Sequence, residues 1–405
     1  MAIHFQRPTT TITDLLLQLR YDEENGPELT EIRSTQLPAE WYPQCAVQLT
    51  WPHAGTDWAP VLKEVTRCYI QMAMQIASRE KLIIVTPEPD QIKTLLTEQL
   101  PLDVCEQITY CAMPTNDTWA RDHGGITMVK DGRMKVCNFI FNGWGQKFAS
   151  DKDNQITLEM RKKGLFSSDV DVVDIPFVLE GGSVEFNTRG ELLSTYNCLN
   201  APNRNNQFSG KQVEEILTKI FNLKKVHWLY NGDLIGDDTD GHIDTLARFC
   251  DDTTIAYVKC DDVNDDHYQW LKAMEDDLKA LRDVDGKPFN LVPLPMPDAV
   301  FDENDERIPA TYANFLILNG AVLVPTYNQK HDADAIATLQ KVFKDREVIG
   351  IDCQTLIRQH GSLHCVTMQY PEGVLNESGK TIPSTAIKKE WDSEEIFPQF
   401  HMYGI

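Results

Sequence analysis

Gly236-Asp-Asp-Thr-Asp-Gly-His242-Ile-Asp244-Thr-Leu-Ala-Arg-Phe-Cys250-Asp-Asp-Thr-Thr254-Ile-Ala-Tyr-Val258 decides the fold. A turn-forming run of Asp and Gly enters an apolar segment, Asp251 to Thr254 interrupts it, and Ile255 to Val258 resumes it, which is the pattern of a β-hairpin. If the chain is already extended from His242 to Asp244, alternate side chains fall on one face, and an imidazole and a carboxylate stand together at the mouth of a strand. The imidazole could move protons there and the carboxylate could hold a cation. The plain alternative is a solvated Asp-rich turn with an incidental histidine. An EF-hand calcium loop is disfavoured: with Asp240-Gly241 at positions five and six, the first and twelfth positions fall on Gly236 and Ala247, neither of which carries a carboxylate.

The hairpin recurs. Ile126 to Phe139 turns on Asp131-Gly132, Ser183 to Thr195 on Asn187 to Gly190, and Phe315 to Val324 on Asn319-Gly320. Helix-periodic stretches follow at Gln212 to Phe221, Asp265 to Leu281 and Asp332 to Phe343, with a fainter one near Thr157 to Lys163. After them come the strand candidates Lys225 to Tyr230, Asn290 to Leu294 and Glu347 to Cys353. Near the amino end, strand candidate Cys45 to Trp51 precedes a helical stretch, Trp58 to Glu80, and a strand, Lys81 to Thr86. A last strand, Cys365 to Gln369, has no partner after it, and the Cys45 to Trp51 strand can supply one. The order of hairpin, helix, strand therefore gives five radially stacked units in one closed α/β domain, its ring joined by the two ends of the chain.

At 405 residues, 42% hydrophobic and 24% charged, the chain has globular composition; length alone leaves one large domain or two medium ones open. Its 61 acidic against 38 basic residues give a net charge of -23, which disfavours nucleic acid and anionic membranes and favours cationic ligands. Ten cysteines are scattered without a Cys-x-x-Cys pair, as expected of reduced thiols in a cytoplasmic protein. No apolar run reaches the length of a membrane span or of a signal-peptide core.

Each hairpin is preceded by a polar or Gly-rich run with residues able to do chemistry: Asp122, Glu180, His242 with Asp244, Asn314, and Cys365. In a radial fold these equivalent positions converge on one axis. Taken singly, Asp122 beside Arg121 reads as a surface ion pair, Glu180 as a turn carboxylate, and Cys365 as a small buried residue. His364, next to Cys365 in an expected strand, points the other way. Together the set suits a nucleophile with its acid and base. Nearby carboxylates raise a thiol pKa unless a cation lies between them, so the substrate should be cationic. A guanidinium, planar and rich in paired N–H donors, matches carboxylates two at a time.

The motifs Leu37-Pro-Ala-Glu-Trp41 with Trp51-Pro-His53, Asn116-Asp-x-Trp119-x-Arg-Asp122, Leu179-Glu-Gly-Gly-Ser183, Pro202-Asn-Arg-Asn205, Thr239-Asp-Gly-His-Ile-Asp244, Pro309-Ala-x-Tyr-x-Asn314 and His364-Cys-Val-Thr367 resemble those of the agmatine deiminase and bacterial-type peptidylarginine deiminase family of guanidino-group-modifying enzymes. The resemblance implies a single-domain, five-bladed pentein propeller over residues 36–373, with an extension (1–35) and a tail (374–405) outside it. It implies a cytoplasmic hydrolase without metal or organic cofactor, acting on a small cationic guanidino substrate, and leaves homo-oligomerisation open. Cys365 resembles the family nucleophile and His242 its acid and base, with Glu180 beside the histidine. Asp122 and Asp244 resemble the guanidinium-binding carboxylates, and Trp119 and Asn314 join the substrate-binding set. One departure is His360-Gly361-Ser362, where the family usually has a Gly-Gly-Gly run.

The expected reaction is deimination of agmatine to N-carbamoylputrescine and ammonia through an amidino-cysteine, a step of polyamine metabolism. Free arginine or peptidylarginine is the alternative substrate on the same residues. A papain-like protease would not need the carboxylates, and a non-catalytic guanidine or polyamine binder would not need both Cys365 and His242.

Overall fold

The computed structural model describes residues 37–130 and 133–376, so the Asp131-Gly132 turn, the extension at 1–35 and the tail beyond 376 lie outside the described residues. Four three-stranded sheets share one plan: a short first strand runs antiparallel to a second, a helix follows, and a third strand returns parallel to the second. They comprise Ile126–Lys130, Arg133–Ile140 and Asp171–Val178; Glu185–Phe186, Glu191–Thr195 and Lys225–Leu229; Ala247–Phe249, Thr254–Lys259 and Asn290–Pro295; and Leu316–Leu318, Ala321–Thr326 and Glu347–Asp352. The fifth joins the chain ends. Thr367–Pro371 pairs antiparallel with Gln44–Thr50, Leu49 opposite Thr367, and Lys81–Thr86 and Ile108–Ala112 extend the sheet in parallel. The mixed α/β domain is thus built from five sheets of similar plan, plus one small hairpin, Val300–Phe301 with Arg307–Ile308.

The middle strands are covered on both faces, which is why they read as near-continuous apolar runs such as Ile255-Ala-Tyr-Val258. Their helices are amphipathic. Gly210–Phe221 starts with a capping box between Ser209 and Gln212, buries Val213, Ile216, Leu217 and Phe221, and stops at Asn222 in the left-handed region, φ 50°. The helix expected near Thr157 to Lys163 is Ile156–Lys162.

The first strands are shorter than the sequence suggests. His242 to Asp244 is not extended: Ile243–Thr245 forms a 3₁₀ turn and the strand begins only at Ala247. Gly181–Ser183 is a 3₁₀ turn as well, where a strand was expected from Ser183. At these sheet ends the chain forms turns that carry buried polar side chains, Ser183 and Asp244 among them. The sequence reading also passed over the helix Pro89–Gln99 and the strand Ile108–Ala112, whose short, polar-interrupted patterns are weak.

Beneath these turns lies a layer of buried charge. Arg248, fully buried, donates from Nε to Glu185, from Nη1 to the Phe315 carbonyl, and from Nη2 to Glu40 Oε2 at 2.7 Å, with the Phe315 ring 4.8 Å from its guanidinium. Glu40 Oε1 accepts from the Ile317 amide at 2.7 Å. One side chain therefore ties its own sheet to two neighbouring ones and to the segment before the first strand. Arg248→Met, which leaves Glu40 and Glu185 buried without their cation, should lower unfolding free energy by about 3–5 kcal/mol. Urea denaturation checks this, and a variant as stable as the parent would mean that the ion pairs contribute nothing net.

Candidate active site

The turns at the inner sheet ends bring Asp122, Glu180, His242, Asp244, Asn314 and Cys365 together. Gly182 shows how closely: a Cβ there would lie 2.6 Å from His242 Nδ1, 2.8 Å from Asp122 Oδ1 and 3.2 Å from Asp244 Oδ2. Without a side chain, Gly182 also donates its amide to Asp122 Oδ1 at 3.0 Å. Asp122 Oδ2 accepts from the Trp144 indole at 2.9 Å, and Trp144 reaches it from a left-handed backbone, φ 54°. Arg121 and Asp122, which taken singly read as a surface pair, are both buried and meet different partners, Arg121 Nη2 lying 3.9 Å from Glu40 Oε2 while Asp122 accepts from Trp144 and Gly182.

His242 stands between two carboxylates, with Nδ1 3.6 Å from Asp122 Oδ1 and Nε2 3.8 Å from Glu180 Oε2. Burial would push its pKa down, but Asp122, Cys198 and Glu180 outweigh it, so the imidazole holds its proton well above the usual histidine range. Glu180 is opposed by burial and favoured by His242 and Arg204, and stays more acidic than an ordinary glutamate. Arg204 Nε lies 3.1 Å and 2.9 Å from its two oxygens. Burial raises Asp122 to about 6, with Asp244 and Glu180 adding to the rise against the pull of His242.

Cys365 Sγ lies 3.2 Å from Asn314 Nδ2 and 3.7 Å from Asp244 Oδ2. Burial, then Asp244 and Asp122, push the thiol well above its usual pKa. Asn314 also accepts the His364 and Cys365 amides on Oδ1, at 2.8 and 3.3 Å, and donates to the Asp244 carbonyl at 3.1 Å. It thereby joins the turn that carries the cysteine to the turn that carries the carboxylate.

His364 overturns its expected placement. It lies in a turn before the strand Thr367–Pro371, and its ring places Nδ1 2.8 Å from Asp244 Oδ2 and Nε2 2.7 Å from Glu40 Oε2. Burial opposes ionisation of Asp244, but His364, His242 and Arg248 hold its pKa below the usual value. Trp119 packs against the His360-Gly361-Ser362 turn, where a Cβ on Gly361 would sit 2.0 Å from the indole. His360 takes the left-handed conformation there, φ 65°, with its Nδ1 2.6 Å from the Gly236 carbonyl oxygen.

Sequence reasoning assigned no role to Glu40, Trp144, Cys198, Arg204 or Arg248. Glu40 and Arg204 stand inside quoted motifs, so the signal was present without its geometry; Trp144, Cys198 and Arg248 carry none in spacing. Gly182→Ala tests the packing. Its methyl has no room among fixed side chains, so the variant should lose about 1–3 kcal/mol of stability. Its crystal structure should show His242 and Asp122 displaced, whereas an unmoved pair would refute the close approach.

Comparisons with known proteins match most of the chain to one family. The family model described as Porphyromonas-type peptidyl-arginine deiminase matches residues 36–371. A curated protein of Marinomonas sp. (strain MWYL1), provisionally named an agmatine deiminase, is 31% identical over 359 residues, covering 83% of this chain and 94% of its own. Among solved structures, a provisionally named arginine deiminase of Porphyromonas gingivalis is 51% identical with a TM-score of 0.81, covering 85% of this chain and 100% of its own. A Cys-to-Ser variant of the C. jejuni agmatine deiminase with substrate bound is 35% identical with a TM-score of 0.78, covering 86% and 100%.

Proposed function

The chain belongs to the Porphyromonas-type peptidyl-arginine deiminase family, and from that premise we propose that it deiminates agmatine to N-carbamoylputrescine and ammonia through a covalent amidino-cysteine. Its five sheets are read as the blades of one pentein propeller with the site at their hub. The observation that carries the reading is a buried thiol facing two carboxylates, Asp244 and Asp122, which hold its proton on. A guanidinium between those carboxylates offsets their charge and lets the thiol ionise, so the substrate itself arms the nucleophile.

The Cys365 thiolate then attacks the guanidinium carbon while Asp122 and Asp244 hold the nitrogens. His242, protonated by virtue of its acidic neighbours, gives its proton to the departing ammonia. As a neutral base it next takes a proton from the water that attacks the amidino-thioether carbon. Collapse of that adduct breaks the C–S bond and releases the ureido product. Glu180, anchored by Arg204, keeps the imidazole oriented and favours its charged form.

Agmatine is preferred over arginine on two grounds. The reacting residues are nearly enclosed, Cys365 being 6% and Asp122 5% exposed, which suits a small free substrate better than a protein segment. Beside them, the half-buried Asp238 carboxylate accepts no hydrogen bond among the described residues; burial and Asp237 raise its pKa, and His360, Lys147 and His242 oppose the rise. Lys147 is engaged with Asp240 at 2.9 Å. The uncommitted charge is thus negative, matching a terminal ammonium and opposing an α-carboxylate.

Cys365→Ser should fold and lose turnover by roughly 10³-fold or more. Wild-type kcat/KM for agmatine should exceed that for free arginine and for arginine peptides by roughly a hundredfold, the scale of a few kcal/mol of charge mismatch. Equal or better rates on arginine substrates would reassign the substrate and leave the deimination chemistry standing. On the acid side kcat/KM should fall as pH drops through about 6, because Asp122 takes up a proton there and ceases to attract the cation. A profile flat to well below that value would remove Asp122 from guanidinium binding.

A further inference from the structure

Glu180, Cys198 and His242 each offer a ligand atom, and these three atoms lie within 4.8 Å of one another. Cys198 comes from the short helix Tyr196–Leu199, is fully buried, and takes no part in the proposed reaction. Its thiol donates to the Thr239 carbonyl at a long 3.6 Å and interacts with the His242 imidazole. His242 is 1% exposed, and its Nε2, on the side facing Glu180, has no hydrogen-bond partner among the described residues. A polar ring nitrogen is thus buried, unsatisfied and aimed at a thiol and a carboxylate.

We infer that Glu180, Cys198 and His242 form an inhibitory site for a soft divalent cation such as Zn²⁺, separate from the Cys365 nucleophile. Zinc bonds to N, O and S of about 2.0–2.3 Å place tetrahedral ligands about 3.3–3.7 Å apart, so small side-chain movements suffice from the 3.8 Å between His242 Nε2 and Glu180 Oε2. A water can take the fourth position. The other cluster of this kind, Glu40, Glu185 and His364, is already filled by the Arg248 guanidinium. In the first cluster Arg204 engages Glu180 but also spends charge on Asp240, at 2.5 Å, and Asp122 adds a further carboxylate beside His242. Once Cys198 and His242 have given up their protons, a dication meets a thiolate and the Glu180 and Asp122 carboxylates against the single Arg204 guanidinium. On binding, the Cys198 thiol proton and any proton on His242 Nε2 leave to solvent, and three protein–metal bonds form. A metallated Nε2 can no longer carry the proton for ammonia. This inhibition rests on the proposed deimination, whereas the binding does not.

The test uses Co²⁺ as a spectroscopic probe and Zn²⁺ as its competitor on the full chain. Wild type should take up one Co²⁺ with a thiolate-to-cobalt charge-transfer absorption that Zn²⁺ abolishes. The absorption should disappear in Cys198→Ser and persist in Cys365→Ser. With agmatine, Zn²⁺ should inhibit reversibly, a chelator should restore turnover, and Cys198→Ser should need roughly tenfold more Zn²⁺ or higher, each variant being read against its own metal-free rate. Cys198→Ala replaces the serine variant if the latter melts early. Absorption that survives loss of Cys198, absorption lost with Cys365, or no uptake by wild type would each overturn the site. Because the absorption needs no substrate, it decides the matter even if agmatine is not turned over.

Discussion

Arg248 is a guanidinium cut off from water, and its charge has to be met from inside the protein. Glu185, the Phe315 carbonyl and Glu40 meet it, and Glu40 in turn accepts from His364, whose other nitrogen holds Asp244. The chain of contacts runs from the structural layer of the domain to a carboxylate of the reacting layer. Burial of an unpaired charge is costly enough that these groups are constrained as a set. Glu185, pushed by burial to about 7 despite Arg248, shows how near the limit the layer sits. A carboxylate held this way keeps its ionisation and direction before substrate arrives, which is preorganisation supplied by the fold.

The repeat was legible because its elements are simple. Hairpin turns, amphipathic helices and apolar middle strands carry their pattern locally, and the unmatched strands at the two ends implied their pairing. The placement of Asp122, Glu180, Asp244, Asn314 and Cys365 followed from their equivalent positions before the first strands. Fine direction did not follow. His242 and Asp244 do share one site, but through a turn instead of a strand, and His364 faces Asp244 because the residues before Thr367 are not extended. Alternation predicts side-chain direction only where the backbone is truly β, and the inner ends of these sheets are where it ceases to be. Partners drawn from remote segments, such as Arg204 on Glu180 or Trp144 on Asp122, leave no trace in local periodicity.

The same electrostatics that hold the site together also keep it idle. Asp122 and Asp244 suppress the Cys365 thiolate, and His242 retains its proton because carboxylates surround it. In the proposed reaction Cys365 reaches the state that attacks a carbon only when a cation enters, while His242 already holds the proton it will give up. Selectivity and reactivity then have one origin: a neutral ligand of similar shape would bind less well and would also leave the thiol protonated. A free thiol so protected is less exposed to oxidants than an open thiolate.

The pairing of Thr367–Pro371 with Gln44–Thr50 has a consequence for how the chain acquires its structure. Cys45 and Tyr370 are in contact although 325 positions separate them along the chain, and Cys365 lies just ahead of that final strand. Such a contact carries a large loop-closure entropy and cannot form until the chain through Pro371 has left the ribosome. Earlier sheets can assemble in order as they emerge, but the fifth waits for the last strand, with the edge of Gln44–Thr50 unpaired in the meantime. Cys365, the proposed nucleophile, and the closing strand therefore arrive together. A chain that stops short of them lacks both, so synthesis itself would withhold the proposed thiol chemistry from such a product.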